Sequence, residues 1–343
     1  MTRFTPEAQD AARLPVALLG GFLGSGKTTL VNALLRRPEM AGTAVAINEF
    51  GAVPIDQHLI GEEGDRSVVL ANGCLCCNLS GDWEAGVMRL FTRREAGALP
   101  RFERLIVEPS GLADPAPILQ AMLRNPLLSR VLRLEAVVAT VDAVFGQGQL
   151  AEHPEARAQV ALADRLLLTK TDLAAPEAAA LRAVLARLNP LAPVAEVRQG
   201  EADPAAIFPA RFLGRDGPAP VAEWLAALPA SRLRAEAVHG AETAALSLVS
   251  ERAPDWGAFD AWLRRVRIEA GERLLRVKGL VGVPGQPGPV VVQGVQHVLH
   301  PPVALERWPG GDTRTRLVLI TRDLPHAPLR AGWDALFAAR DAA

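Results

Sequence analysis

Residues 21–28 read Gly-Phe-Leu-Gly-Ser-Gly-Lys-Thr and match the G-x-x-x-x-G-K-[ST] pattern of a phosphate-binding loop. The context is the one that this pattern requires, because an apolar run at 15–19 predicts a strand before the loop and residues 27–37 predict a helix after it. Backbone amides in such a loop turn inward around phosphate groups, so the stretch predicts a nucleotide site. A chance glycine-rich turn is the alternative interpretation.

Short apolar runs alternate with helical patterns through the first part of the chain. Strands are predicted at 15–19, 43–47, 68–70, 105–107, 136–141, 165–168 and 194–197, and helices at 27–37, 83–94, 115–123 and 176–188. This alternation predicts an α/β fold with a doubly wound, mostly parallel sheet. Ligands of such a sheet bind at the carboxyl ends of its strands.

The pattern changes after residue 213, where a Gly- and Pro-rich stretch begins. Later strands are predicted at 243–250, 274–283, 289–299 and 316–321, with helices at 256–267 and 327–339. These elements predict a smaller α+β domain on an antiparallel sheet. We therefore predict a mobile tail at 1–13, a nucleotide-binding domain at 14–213, a linker at 214–241 and a C-terminal α+β domain at 242–343.

Composition excludes several classes of protein. The net charge of −1 argues against a nucleic-acid partner. The apolar stretch at 14–24 is too short to cross a bilayer, and Glu7 and Asp10 lie where a signal peptide would carry basic residues. All three cysteines fall at 74–77, which leaves none for a distant disulfide and favours a reducing compartment. We expect a cytoplasmic protein without membrane or nucleic-acid partners.

Residues 168–172, Leu-Thr-Lys-Thr-Asp, indicate which base is bound. The Asp172 carboxylate can accept two hydrogen bonds from guanine N1 and N2, and the Lys170 stem can cover the base. Adenine lacks that pair of donors, so the motif favours GTP. Thr169 stands where GTP-binding proteins have an asparagine. An ordinary turn with Asp172 as a helix cap is the alternative.

An acidic residue ends the predicted strand at 105–107, and a glycine turn follows it. We expect Glu108 to hold a magnesium-bound water and the Gly111 amide to sense the γ-phosphate. Lys27 would reach the β- and γ-phosphate oxygens, and the Thr28 hydroxyl would bind magnesium. No arginine finger or water-positioning glutamine is evident, which predicts slow intrinsic hydrolysis. The predicted catalytic residues are Lys27 and Glu108, and the predicted nucleotide-binding residues are Gly21, Gly24, Ser25, Gly26, Lys27, Thr28, Thr29, Gly111, Thr169, Lys170 and Asp172.

Five segments in order carry a family signature: 20–29, Asn-Glu-Phe-Gly at 48–51, Asn-Gly-Cys-Leu-Cys-Cys at 72–77, 108–115 and 169–172. Together they resemble the CobW-type GTPases, which are metal chaperones and insertases with a Cys-x-Cys-Cys motif. Residues 275–279 and 292–297 are similar to that family's second domain. The resemblance implies GTP-dependent delivery of a transition metal to a client metalloprotein, with zinc in most branches and cobalt in the cobalamin branch.

Cys74, Cys76 and Cys77 are the predicted metal ligands, and thiolates favour zinc, cobalt(II) or copper(I). An extended run would place Cys74 and Cys76 on one side and Cys77 on the other, so two thiolates per chain would hold the ion. Glu49, water, a client or a second protomer could complete the site. A homodimer through the metal site is one such arrangement. An incomplete site suits a chaperone, which must release its metal.

Other interpretations stay open at this point. The cysteines could form a structural zinc site, or act as a redox sensor whose partner binding is tuned by nucleotide. The protein could also insert cobalt in cobalamin or nitrile hydratase-type assembly. Ile47 and Ala52 stand where some relatives have carboxylates, and the predicted linker has no histidine before His239. His297 and His300 are expected on opposite faces of one strand, which disfavours a joint metal role.

Overall fold

The computed structural model of the protein describes residues 13–48, 59–60, 66–69, 75–78, 83–173, 175–198, 201, 203–209, 212, 243–309 and 312–338. At 48, 59–60, 66–69, 75–78 and 175–177 only the backbone is described. The predicted tail, apart from Arg13, and the predicted linker lie outside these residues, so the domain boundaries stay predictions. The described residues divide into two compact units, made mostly of 13–198 and of 243–338.

The first unit alternates strands with helices. Its strands are β1 (Leu14–Gly21), β2 (Thr43–Asn48), β3 (Leu59–Ile60), β4 (Arg66–Val69), β5 (Leu75–Asn78), β6 (Arg104–Pro109), β7 (Leu132–Asp142), β8 (Arg165–Thr169) and β9 (Val194–Val197). Its helices are α1 (Lys27–Leu34), α2 (Trp83–Glu95), α3 (Pro115–Arg124), α4 (Pro126–Val131), α5 (Gly146–Glu152), α6 (Pro154–Leu162), α7 (Ala175–Leu188) and α8 (Pro204–Ile207).

The described strands of this unit form a nine-stranded sheet in the order β3-β4-β5-β2-β6-β1-β7-β8-β9. Strands from β5 to β9 along this order pair in parallel, while β3 and β4 pair antiparallel at one edge. The predicted doubly wound, mostly parallel sheet is therefore confirmed. β1 lies between β6 and β7. From β1 the sheet extends both ways, through β6 on one side and through β7 on the other. This switch point is where ligands bind in such folds.

The central strands form because they are apolar on both faces. All of β1 is buried, and it packs in a core with α1 and the neighbouring strands. Core side chains include Leu19, Leu30, Ile106, Val138 and Leu167. Continuous apolar runs of this kind are typical of parallel strands that helices cover on both sides. The core thus fixes the strand ends from which the site residues extend.

The second unit is the predicted α+β domain on an antiparallel sheet, which is confirmed. Its strands are β10 (Thr243–Ser250), β11 (Leu274–Val281), β12 (Val290–Val295), β13 (Val298–Leu299), β14 (Val303–Ala304) and β15 (Thr315–Arg322). Its helices are α9 (Trp256–Ala270) and α10 (His326–Ala338). The described strands form a six-stranded sheet in the order β10-β15-β11-β12-β13, with β14 paired to β12.

One predicted strand is wrong. Residues 289–299 form a hairpin, in which Val295 pairs with Val298 across a turn at Gln296 and His297. Gln296 has a φ of 50°, in the left-handed region. His297 therefore lies in the turn, where its carbonyl accepts hydrogen bonds from Arg267. In the described part of the chain, no helix is both long and apolar enough to cross a membrane.

Candidate functional site

The side chain of Lys27 folds back over the loop between β1 and α1. β1 ends at Gly21 and α1 begins at Lys27, which is the strand–loop–helix order that the motif requires. The Lys27 ammonium donates hydrogen bonds to the carbonyls of Gly21 (2.8 Å) and Phe22 (3.3 Å), and the residue is 5% exposed. The ammonium is thus held against the loop, where it could contact the phosphates of a nucleotide.

The other predicted loop residues divide between the buried and the open side of the loop. The Ser25 hydroxyl is 2.7 Å from the Thr140 hydroxyl of β7, and both groups are buried. Gly24 and Gly26 lie in the loop, and Thr29 is an exposed residue of the first turn of α1. Ser25 therefore ties the loop to the sheet and leaves the opposite side open for a ligand.

Two oxygen-bearing side chains meet beside the loop. Glu108 is fully buried at the end of β6, and the Thr28 hydroxyl donates a hydrogen bond of 3.3 Å to its Oε1. A carboxylate and a hydroxyl are hard oxygen donors of the kind that Mg²⁺ prefers, and Mg²⁺ usually completes its shell with phosphate oxygens and water. Thr28 and Glu108 therefore fit a magnesium ion at the predicted place.

The predicted base-recognition motif contacts the phosphate loop directly. Thr169, the last residue of β8, lies with its hydroxyl 2.8 Å from the Ser25 carbonyl and 3.2 Å from that of Val141. Thr169 is buried, whereas Asp172 is exposed on the turn that follows β8. The motif thus brings Asp172 to the same edge of the sheet as the phosphate loop and leaves its carboxylate accessible.

Asp142 is a site residue that the sequence analysis missed. It ends β7, is 1% exposed, and accepts a 2.6 Å ion-pair hydrogen bond from Lys170. Its other oxygen accepts hydrogen bonds from the amides of Val144 (2.8 Å) and Phe145 (3.3 Å). Asp142 therefore anchors the Lys170 ammonium, whose stem is expected to cover the base. An acidic residue at the end of a central parallel strand was the signal that could have identified it.

Gln159 was also missed. It lies on α6, is 3% exposed, and its amide donates hydrogen bonds of 3.0 Å to the carbonyls of both Gly111 and Ala113. The loop that it holds touches the phosphate loop, because a Cβ added at Gly111 would lie 2.9 Å from the Leu23 nitrogen. Gln159 therefore links α6 to the predicted γ-phosphate sensor. No motif surrounds it in the sequence.

The cysteine run lies in the same sheet as the nucleotide site. β5 contains Cys76 and Cys77, and Cys77 pairs in parallel register with Ala46 of β2. Ala46 in turn pairs with Val107 of β6, the residue before Glu108. Neighbouring strands are ~4.8 Å apart, so the backbones of Cys77 and Val107 are about 10 Å apart. The backbone is extended at these two positions, which is the condition under which Cys76 and Cys77 would lie on opposite sides.

The metal ligands themselves are described only in part. Cys74 and Glu49 lie outside the described residues, and the side chains of Cys76 and Cys77 are not described. Among the described side chains, no group of three or more His, Cys, Asp or Glu could hold a metal ion. The predicted ligand set of Cys74, Cys76, Cys77 and Glu49 therefore stays a prediction.

The fold and this arrangement of groups define a P-loop nucleotide-binding protein. Residues 15–196 match the family model described as CobW/HypB/UreG, nucleotide-binding domain, and residues 243–337 match that of the cobalamin synthesis protein CobW C-terminal domain. The chain belongs to the CobW family.

Curated relatives span nearly the whole chain. The zinc chaperone YjiA of Escherichia coli is 33% identical, over 94% of this chain and 98% of the relative. The zinc chaperone CobW of Pseudomonas aeruginosa is 30% identical, over 93% of this chain and 90% of the relative. The superposition on the crystal structure of the Zn(II)-bound YjiA GTPase from E. coli covers 94% of this chain and 99% of the YjiA chain, with a TM-score of 0.74 and 31% identity. The predicted family resemblance is confirmed.

Proposed function

We propose that the protein is a GTP-dependent zinc metallochaperone, which binds zinc through the Cys-x-Cys-Cys run at 74–77 and delivers it to a client metalloprotein when GTP is hydrolysed. The observation that carries this proposal is the strand register, in which a single strand, β2, separates the cysteine strand from the strand that contains Glu108. A movement at the nucleotide site could therefore reach the cysteines through the hydrogen bonds that join β6 to β2 and β2 to β5. The zinc chaperones among its relatives support the identity of the metal.

Five of the predicted residues then have a role in the GTPase reaction. Lys27 contacts the β- and γ-phosphates, and Asp172 accepts hydrogen bonds from guanine. Thr28 would bind magnesium directly and Glu108 would hold a magnesium-bound water, and the ion would supply positive charge beside the phosphates. Gly111 offers its amide to the γ-phosphate, so this loop differs between the GTP and GDP states. Because the sequence shows no evident arginine finger or water-positioning glutamine, we expect slow intrinsic hydrolysis.

Partners and location follow from the same proposal. The client is a metalloprotein with a vacant zinc site, and the chaperone works in the cytoplasm without nucleic acid or membrane. A homodimer through the metal site is one way to complete the zinc coordination. Cobalt insertion uses the same thiolates and differs in metal and client, so a direct zinc–cobalt(II) competition in the GTP state distinguishes the two.

Zinc affinity tests the proposal. With a non-hydrolysable GTP analogue, zinc is expected to bind about tenfold more tightly than with GDP, measured by competition with a chromophoric chelator. Because coupling is reciprocal, zinc must raise the affinity for the analogue by the same factor. Cys76→Ala is expected to weaken zinc binding about 100-fold, and Cys77→Ala, on the opposite side of an extended run, much less.

Two results of this experiment would contradict the proposal. Equal zinc affinity with the analogue and with GDP would remove the nucleotide dependence. Protein purified under reducing conditions that hydrolyses GTP but binds no zinc in either state would favour the redox-regulator interpretation.

Gln159 provides a second test, because it holds the Gly111 loop without lying in the phosphate loop. We expect Gln159→Leu to lower kcat for GTP hydrolysis about tenfold and to leave KM within about twofold, since the γ-phosphate sensor loses its anchor. Gln147→Leu is the matched control, because that glutamine is an exposed residue of α5 outside the phosphate loop and the Gly111 loop. A fall in Tm with kcat unchanged would reduce Gln159 to a structural role.

A further inference from the structure

An apolar groove runs between α9 and α10 in the C-terminal unit. Its volume is about 720 Å³, which is within the range of sites that hold ligands. The lining includes Ala258, Ala261 and Trp262 from α9, and Ala335, Leu336 and Phe337 from α10. The groove contains none of the residues of the nucleotide or cysteine motifs, so it is a separate feature of the molecule.

Residue size explains why the groove is open. The exposed alanines Ala258, Ala261 and Ala335 leave space where longer side chains would fill it. At Gly332 the helix backbone instead lies against Trp262, because an added Cβ would be 2.6 Å from the indole nitrogen. The two helices therefore meet at Gly332 and leave an apolar channel beside it.

Packed aromatic rings form part of the wall of the groove. Trp262 packs edge-to-face on Trp333 with ring centroids 5.6 Å apart, and Trp333 packs on Phe337 at 5.3 Å. Trp262 and Trp333 are both buried against the sheet. A preformed apolar wall loses little conformational entropy when a ligand binds. The groove is thus suited to aliphatic or aromatic side chains.

The rim of the groove is cationic. Arg252 and Arg265 both line it and are exposed. Asp255, the acidic lining residue, is engaged as the N-cap of α9, where its Oδ1 accepts a 2.9 Å hydrogen bond from the Ala258 amide. Arg252 donates to the Phe337 carbonyl, while Arg265 makes no ion pair within the described part of the chain. A carboxylate is the complementary group, since guanidinium binds it in a two-point geometry.

We propose that this groove docks a short segment of a partner protein in which one or two aliphatic or aromatic side chains lie beside an Asp or Glu carboxylate. The channel extends along two helices and is open to solvent, which suits an extended peptide better than an enclosed small molecule. Arg265 anchors the carboxylate, and the floor between the alanines receives the apolar side chains. The inference goes beyond the proposed function, because it assigns a binding site to the C-terminal unit.

Peptide selection tests this proposal on the full-length protein, without nucleotide or zinc. A random twelve-residue phage-displayed library is panned on the immobilised chain, and the strongest peptide is synthesised with a fluorescent label for anisotropy titration. We expect the selected peptides to combine apolar with acidic residues. Arg265→Glu should weaken binding at least about tenfold by charge reversal, and Ala335→Trp should do so by filling the groove.

Matched controls come from the same helices. Arg264→Glu changes the neighbouring exposed arginine, which pairs with Asp260, and Ala331→Trp places the same ring on an exposed position outside the groove. Both should stay within about twofold of wild type. Circular dichroism melts confirm that all four variants fold.

Three outcomes would overturn the proposal. Selected peptides could lack acidic residues, or bind Arg265→Glu and Ala335→Trp as tightly as wild type. Alternatively, the chain could self-associate in sedimentation runs, with Arg265→Glu and Ala335→Trp dissociating it, which would assign the groove to a second copy. None of these outcomes depends on zinc or GTP, so the metallochaperone proposal would stand or fall separately.

Discussion

Lys27→Ala is expected to lower kcat/KM for GTP hydrolysis by about 10³-fold, because it removes the buried cation that we propose contacts the phosphates. The Lys27 ammonium already lies against the phosphate loop, bonded to the carbonyls of Gly21 and Phe22, with 5% of the residue exposed. Such a group needs little rearrangement before it contacts phosphate. The loss should appear in single-turnover hydrolysis and in the binding of a fluorescent GTP analogue.

Lys27→Arg is the informative companion variant. It keeps the positive charge but places a larger planar group in a site that is filled by an ammonium, so it too should lose most activity. Activity near wild type in Lys27→Arg would show that charge alone matters. Hydrolysis by Lys27→Ala within about tenfold of wild type would mean that phosphate is held elsewhere. Equal Tm values for the three proteins would exclude unfolding as the cause.

Long apolar elements could be predicted from the sequence because their signal is local. The loop between β1 and α1 was predicted from its glycines and its lysine, and β10 was predicted at its observed bounds, Thr243–Ser250. The elements β1, α1 and β10 are each rich in apolar residues over a length that fits a strand or a helix. The fold class followed from the alternation of such segments.

The strand that contains the cysteines could not be predicted in the same way. β5 is short and follows Asn72 and Gly73, which favour a turn. Its hydrogen bonds come from β2 and β4, so its strand character is set by partners distant in sequence. The hairpin at Gln296 was missed for a related reason, since its two turn residues are Gln-His and carry no Asn-Gly or Asp-Gly signal.

Gln159 and Asp142 show a second limit of the sequence. Gln159 bonds two carbonyls 46 and 48 residues away, and a polar residue on a helix does not reveal that it points inward. Asp142 acts on Lys170 across two adjacent strands, β7 and β8. Motifs identify groups that contact a ligand, whereas the groups that position them depend on tertiary packing.

The base-recognition motif leads to the second large effect. Asp172→Asn is expected to weaken GTP binding about 10²–10³-fold, because an amide cannot accept the two hydrogen bonds that guanine N1 and N2 offer. Xanthosine triphosphate has a carbonyl in place of the guanine amino group, so the Asn amide can donate to it. The variant should therefore prefer xanthosine triphosphate. Competition of both nucleotides against a labelled GTP analogue measures the inversion.

Asp172→Ala separates loss of recognition from a change of recognition. It removes the carboxylate without adding a donor, so it should lose GTP and gain no affinity for xanthosine triphosphate. Lys170 remains fixed by Asp142 in both variants, at 2.6 Å, so the stem expected to cover the base keeps its place. If Asp172→Asn bound GTP as tightly as wild type, the guanine ring would have to be recognised by other groups. The exposed Asp172 carboxylate would then be only a surface residue of the turn after β8.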